Sequence, residues 1–442
     1  MTRWLLALCV LLVARPAAAH VGSPDVFFEG AAGPYQLFVT VRTPPVIPGI
    51  ATIEIHAASP DVRDVTVVPM RLTGPGSELP PAPDRASRSA ADPRFFTAEL
   101  WLMEHGSLQV RVAVTGARGA GTLSVPVPAY ARATLRMSRS LGGVLFALMV
   151  VLALALVAII GGAVREATRE PGAPPPPPAR IAMATAGAAV VGLLALGNLW
   201  WAVEADAYAA WVQKPWAPIV RLDDCVLRIG QVAEALLPDH GHPMHAFLVS
   251  DRRMLHFHPE PGADGDYVRR LPALPAGRYR LFVDIVLESG FPVTGATTID
   301  LPDLHCGAIT GDDSLWSGEV DPDITWDRPS AIEAGEPLRL RFHVGGNAPL
   351  EPYMGMAGHA MVLHDDGSVF AHLHPNGSVA MPALALAGGK MTLPDGSRDL
   401  VFPYGFPKPG SYRVFVQLKR GGVVATRVFM IAVGDASRRR RP

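Results

Sequence analysis

The segments HAFLVSD (245–251) and HAMVLHD (359–365) are two copies of one motif, and the sequence around them repeats in step. HFHP (256–259) is matched by HLHP (372–375), and GRYRLFV (277–283) by GSYRVFV (410–416). Three matched blocks in the same order mean a duplicated domain. Each block has the β-branched and aromatic composition of a strand, and each is bounded by proline and glycine turns. The spacing predicts two antiparallel sandwiches, over 215–310 and 311–436.

Residues 20–135 carry similar short alternating runs, such as YQLFVTVR (35–42), ATIEIH (51–56) and RDVTVV (63–68). Turns such as TPPVIPG and GARGAG separate them. About seven short strands over a hundred residues suggest a third sandwich of immunoglobulin type. The predicted fold class is therefore mainly β: three immunoglobulin-like sandwiches plus two transmembrane α-helices.

Those helices come from two long apolar stretches. Leu141 to Val164 and Ile181 to Val203 run without a charge for 24 and 23 residues. Each exceeds the ~20 residues that cross a bilayer core of ~30 Å. Trp200 and Trp201 sit at one end, where aromatic side chains favour the membrane interface. A proline-rich connector, 165–180, lies between the spans, and 1–19 read as a secretory signal with Arg3, an apolar run and a small-residue Ala17-Ala18-Ala19 cleavage site. The signal puts 20–135 outside an inner, cytoplasmic membrane, 165–180 inside, and the His-rich repeats outside again, facing the periplasm or cell exterior. The short tail 437–442 is basic. Lys+Arg number 39 against 40 Asp+Glu, so no positive excess favours a nucleic-acid backbone, and nucleic acid is not an expected partner.

Of 14 histidines, eleven lie beyond residue 239. Residues i and i+2 of a strand share a face, about 6.5–7 Å apart. His256 with His258, and His372 with His374, therefore project in pairs, while His245 and His359 open the preceding strand. This predicts one three-imidazole site per repeat. Methionines gather alongside: Met244 and Met254 in the first repeat, and Met354, Met356 and Met361 in the segment YMGMAGHAM. Imidazole with soft thioether favours copper over calcium or magnesium, with Met244, Met356 and Met361 as expected thioether ligands. Zinc also suits three histidines. Cleavage after Ala19 would leave His20 as the first residue, whose amine and ring nitrogen together can hold one Cu(II).

The blocks DHGHPMHAFLVSD, HFHPE and LPAGRYRLFVD, with EPYMGMAGHAMVLHD, HLHPNG and PGSYRVFVQ, resemble the YtkA-like and heavy-metal-binding secreted domains of bacterial envelopes. The resemblance covers about 215–436 and implies small immunoglobulin-like modules associated with copper handling. Its matched positions are His245, His256, His258, His359, His372 and His374. The first domain shares the general pattern of FixH-like and CopC-like modules, and CopC-like modules are similar in starting with histidine.

Enzyme motifs are missing. No G-x-S-x-G, P-loop or HExxH occurs, and no glutamate follows either HxH at cupin spacing. The expectation is a binding module rather than an enzyme: a membrane-anchored copper chaperone, buffer or sensor. The alternative is an assembly factor whose sandwiches bind another envelope or membrane protein, with the histidines only packing. Cys225 and Cys306 bracket the first repeat, and in an oxidising compartment a disulfide between them is expected, against a free pair or a metal ligand next to His305. Cys9 lies within the signal. Reporter fusions after residue 172 and at the C terminus are expected to read inside and outside respectively; a cytoplasmic C terminus overturns this topology.

Overall fold

The computed structural model describes residues 22–135, 137–166, 177–213, 216–230, 232, 234–390 and 397–435. His20 and the expected signal segment, 1–19, lie outside the described residues. The chain divides into two units: Met1–Ala131 with Pro215–Pro442, and Arg132–Lys214. The second unit is a pair of helices, Arg139–Glu166 and Pro177–Gln213. Both are long and apolar enough to cross a membrane. Their apolar side chains are turned outward rather than into a protein core, Phe146 and Leu154 among them. The helices extend past the expected spans. In particular, the second begins inside the proline run, because a proline in the first turn lacks only an N–H that would have no partner anyway.

In the first unit, residues 26–129 form an antiparallel sandwich. One sheet contains Val26–Ala32, Tyr35–Arg42, Gly49–Ala57 and Phe95–Leu102, and the other Val62–Arg71, Gly106–Gly116 and Gly119–Ala129, with short edge strands on each. Alternating burial along Phe95–Leu102 is the mark of a sheet with one wet face.

The two repeats follow one plan. In the first, Gly277–Leu287, His245–Val249, Met254–Phe257 and Ser314–Trp316 lie side by side, facing a smaller sheet built on Val226–Gly230. In the second, Gly410–Arg420, His359–His364 and Phe370–Leu373 lie side by side, facing Ile324–Trp326, Leu338–Val344 and Asp399–Tyr404. Ser314–Trp316 pairs with Met254–His256, so the first repeat runs beyond the expected limit at 310.

The central strands do not alternate. His245–Val249 and His359–His364 are buried at every position. Ala246 and Leu248 enter the core of their own repeat, as do Ala360 and Val362. The opposite faces meet each other. Phe247, Val249, Met254 and Phe282 pack against Met361, Leu363, Phe370 and Phe415. Phe282 stacks on Phe370 with ring centroids 4.4 Å apart. The repeats are thus joined through a buried middle layer rather than standing as separate modules.

A pseudo-two-fold relates them. The Arg280 guanidinium donates to the Asp365 carbonyl and its counterpart Arg413 to the Ser250 carbonyl, each at 2.8 Å. Tyr279 and Tyr412 both donate to the carbonyl four residues back, at 3.1 and 2.8 Å.

The N-terminal sandwich docks on the second repeat. Phe27 enters that repeat's core, Glu29 N–H donates to the Asn376 carbonyl at 2.8 Å, and Ser378 N–H to the Phe27 carbonyl at 2.9 Å. Gly377 between them has φ +122, and a Cβ there would lie 1.9 Å from the Phe27 oxygen.

Cys225 and Cys306 are disulfide-bonded, closing a sequence separation of 81 residues around the first repeat. A loop of that size restricts the unfolded chain strongly, and such a bond contributes about 2–4 kcal/mol. Replacing both cysteines by serine is therefore expected to lower the urea midpoint of the joined repeats, followed by far-UV circular dichroism. An unchanged midpoint would remove the bond from the stability of these repeats.

Candidate metal centre

The middle layer is apolar at one end and imidazole at the other. His245 shares a face with Phe247, and His256 lies opposite Phe247 in the register, its ring stacked on the phenyl at 4.3 Å. His258 follows on the same face. Among the described residues, two groups of three side chains bring ligand atoms within 4.8 Å of one another: His245, His256 and His258, and His240, His359 and His374. The first is the expected trio. The second differs from expectation, since His240 of the first repeat stands where His372 was expected. The cause is the turn Asp239–His242, in which His240 has φ +54 and Gly241 φ +85. That left-handed pair carries the His240 ring across the interface, to ring-centroid distances of 5.0 Å from His359 and 4.7 Å from His374.

His372 lies between the trios, 5.1 Å from His245, 5.3 Å from His359 and 4.8 Å from His374 by ring centroids. With His242 at the rim, eight imidazoles form one continuous cluster, and the two expected separate sites become neighbours within it. His242 stacks on His258 at 4.1 Å near the surface, with Glu260 3.3 Å from its Nδ1. His364 lies at the other end of its strand, against Asp366 and Tyr412.

Hydrogen bonds set the tautomers. His258 Nδ1–H donates to Asp313 Oδ1 at 2.9 Å, and Arg269 holds the other carboxylate oxygen at 2.7 Å. His258 Nε2 is left buried with no partner. His374 Nδ1–H donates to the Val379 carbonyl at 2.9 Å, which leaves its Nε2 lone pair facing His240 Nε2 at 3.1 Å. His256 Nδ1–H donates to Gln417 Oε1 at 3.0 Å, and His245 Nε2–H to the Asp239 carbonyl at 3.0 Å. The remaining nitrogens, His245 Nδ1 and His256 Nε2, then face each other as lone pairs 3.2 Å apart. His359 has neither nitrogen partnered, and His372 Nε2 is also bare. On the dyad, Asp284 takes the place of Gln417 and lies 3.6 Å from His372 Nδ1.

Of the expected thioethers, Met244 packs in the core of the first repeat among residues such as Leu248, because as His245's neighbour in an extended strand it points to the other face. Met361 lies in the apolar interface, opposite His372 and Phe415 in the register. Met356 is buried in the turn Tyr353–Met356. His240 carried a signal that the strand arithmetic passed over, a histidine before glycine in the turn DHGH.

Burial makes these rings hard to protonate. It pushes His256, His258, His359 and His372 well below the ordinary imidazole range, His245 down to about 3, and His240 and His374 downward as well. Like charge on neighbouring rings adds to this for most of them. Burial, with the Asp284 carboxylate nearby, raises Asp239 to about 7, and burial also raises Asp284 and Asp313.

Comparison with known proteins adds little. Residues 319–435, well under half of the chain, match a family described as a domain of unknown function (DUF8832). No curated protein sequence matches. Solved structures with some likeness include an ICAM-5 D1–D4 ectodomain fragment, at 10% identity and TM-score 0.17 over 91% of this chain and 78% of that one. Another is a tetra-tandem repeat from the extending region of a large adhesion protein, at 10% identity and TM-score 0.17 over 88% and 71%. At such scores they carry no functional argument.

The depressed imidazoles fix the acid response of the metal-free protein. In the unfolded chain these histidines take up protons as pH falls below about 6.5. In the folded chain they stay neutral, so the unfolded state binds more protons and stability drops. Asp239, Asp284 and Asp313 oppose this, since their raised values give stability that is present at low pH and lost as pH rises, for Asp239 towards pH 7. Seven imidazoles outnumber three carboxyls. The urea midpoint of the metal-free protein is expected to fall between pH 7 and pH 5, and a flat profile would contradict neutral buried rings.

Proposed function

We propose that this protein is a membrane-anchored envelope protein that binds a transition metal, copper above zinc, in the histidine chamber between its repeats, as a chaperone, buffer or sensor rather than an enzyme. The observation that carries the reading is the facing lone pairs. His245 Nδ1 and His256 Nε2 lie 3.2 Å apart with their other nitrogens already tied to carbonyl oxygens. Two nitrogens about 2.0 Å from one tetrahedral metal are separated by about 3.3 Å. A cation between them turns a repulsion into two bonds.

Support also comes from the groups that hold the rings from behind. The Arg269–Asp313–His258 chain is the carboxylate–histidine arrangement that orients a metal-ligating ring. Neutral imidazole with nearby methionine suits copper, and zinc accepts the same rings. The disulfide fits an oxidising compartment. With the two membrane-length helices and the leader, it supports an inner-membrane protein whose sandwiches face the periplasm or cell exterior. Metal exchange with another envelope protein follows from the chaperone reading, and the resemblance to heavy-metal-binding secreted domains points the same way.

Copper content by elemental analysis of the purified full chain tests this, with two equivalents expected. Replacing His256 and His258 by alanine should remove one. His240→Ala, altered only in the first repeat, should remove the metal held with His359 and His374 of the second. Folded protein without copper or zinc, or with full metal content in these variants, would make the histidines structural and favour the assembly-factor reading.

A further inference from the structure

The dyad also pairs residues that differ in kind. Asp239-His240-Gly241-His242 and Tyr353-Met354-Gly355-Met356 form the same turn, each closed by a bridge between its first and last residues. Met354 has φ +50 and Gly355 φ +77, against +54 and +85 in the first repeat. Only three non-glycine residues with positive φ occur among the described residues, and His240 and Met354 are two of them. A long side chain in this conformation is uncommon, so its presence at the same place in both turns invites an explanation.

His240 explains itself by reaching across the interface to His359 and His374. The same rotation carries His359 onto His245, His374 onto His258 and His240 onto Met354. Within the first trio, His258 has its Nε2 buried and bare, as its counterpart His374 would be without His240. Met354 is 8% exposed although it sits in a turn, and it belongs to neither repeat's apolar core nor to the apolar interface.

We infer that Met354 is the thioether ligand of the first trio, so that the chamber holds two unlike sites: one of histidine with methionine, selective for Cu(I), and one of imidazole alone, open to Cu(II) or Zn(II). Thioether sulfur is a soft donor that prefers the soft monovalent ion, whereas imidazole serves either divalent ion. This rests on the metal-binding reading above. It adds a ligand to that reading and assigns an oxidation state to each site.

The test uses the full chain in detergent, loaded with Cu(I) without oxygen. Copper X-ray absorption is expected to show a sulfur shell. Met354→Leu should remove it and weaken Cu(I) binding at least tenfold, while Zn(II) content stays within twofold. Met356→Leu should change neither. Met354→His, which copies a residue the equivalent turn already accepts, should keep the site occupied with nitrogen ligands only. Sulfur ligation that survives Met354→Leu, or unchanged Cu(I) affinity, overturns the inference while leaving metal binding in place. A wild-type chain that takes up neither copper nor zinc overturns both.

Discussion

Everything distinctive about this protein follows from strands that are buried on both faces. A strand on an ordinary sandwich keeps one face in water, and a histidine on that face is solvated and titrates normally. Here Phe247, Phe282, Phe370 and Phe415 bind the outer faces of two sandwiches together, and the histidines on those same faces go dry with them. Desolvation then does three things together. It keeps the rings neutral, it makes each unpartnered nitrogen costly, and it strengthens any cation bond that satisfies them. The apolar half of the interface therefore sets the chemistry of the imidazole half.

Duplication supplied the symmetry, and a few substitutions broke it. Gln417 accepts from His256, whereas its counterpart Asp284 brings a carboxylate to His372. An amide fixes a tautomer and cannot titrate, while a carboxyl group puts a titratable acid beside the ring between the two trios. The turns differ likewise, imidazole in one and thioether in the other. These departures leave the two halves of the cluster with different donor groups.

Much of this was legible in the sequence. The i, i+2 histidine pairs and the opening His245 and His359 depend only on strand periodicity, and the repeat itself marked them as paired features. The same periodicity separates Met244 from the imidazole face, although proximity in sequence had placed it among the ligands. The displacement of His372 from its expected trio was not legible, because it depends on how two sheets dock. Nothing local distinguishes a strand face that meets water from one that meets another domain, apart from the phenylalanines that accompany the histidines. His240 was hidden for the same reason: its ring serves the repeat to which it does not belong in sequence.

The rigidity of the chamber comes from outside the central strands. In the second repeat, the loop just after His374 is clamped by the N-terminal strand through Glu29, Phe27 and the close passage at Gly377. In the first, Asp313 holds both the backbone N–H and the ring of His258, and Arg269 anchors Asp313 from Tyr267–Arg270 of the facing sheet, a strand paired with Val226–Gly230, which begins one residue after the disulfide-bonded Cys225. Each HxHP strand end is thus held by a different neighbour. Rings held in this way have lost their rotamer freedom during folding, so that cost would not fall on the binding of a metal. The N-terminal sandwich, with no ligand of its own among the described residues, takes part in the site by holding one wall still.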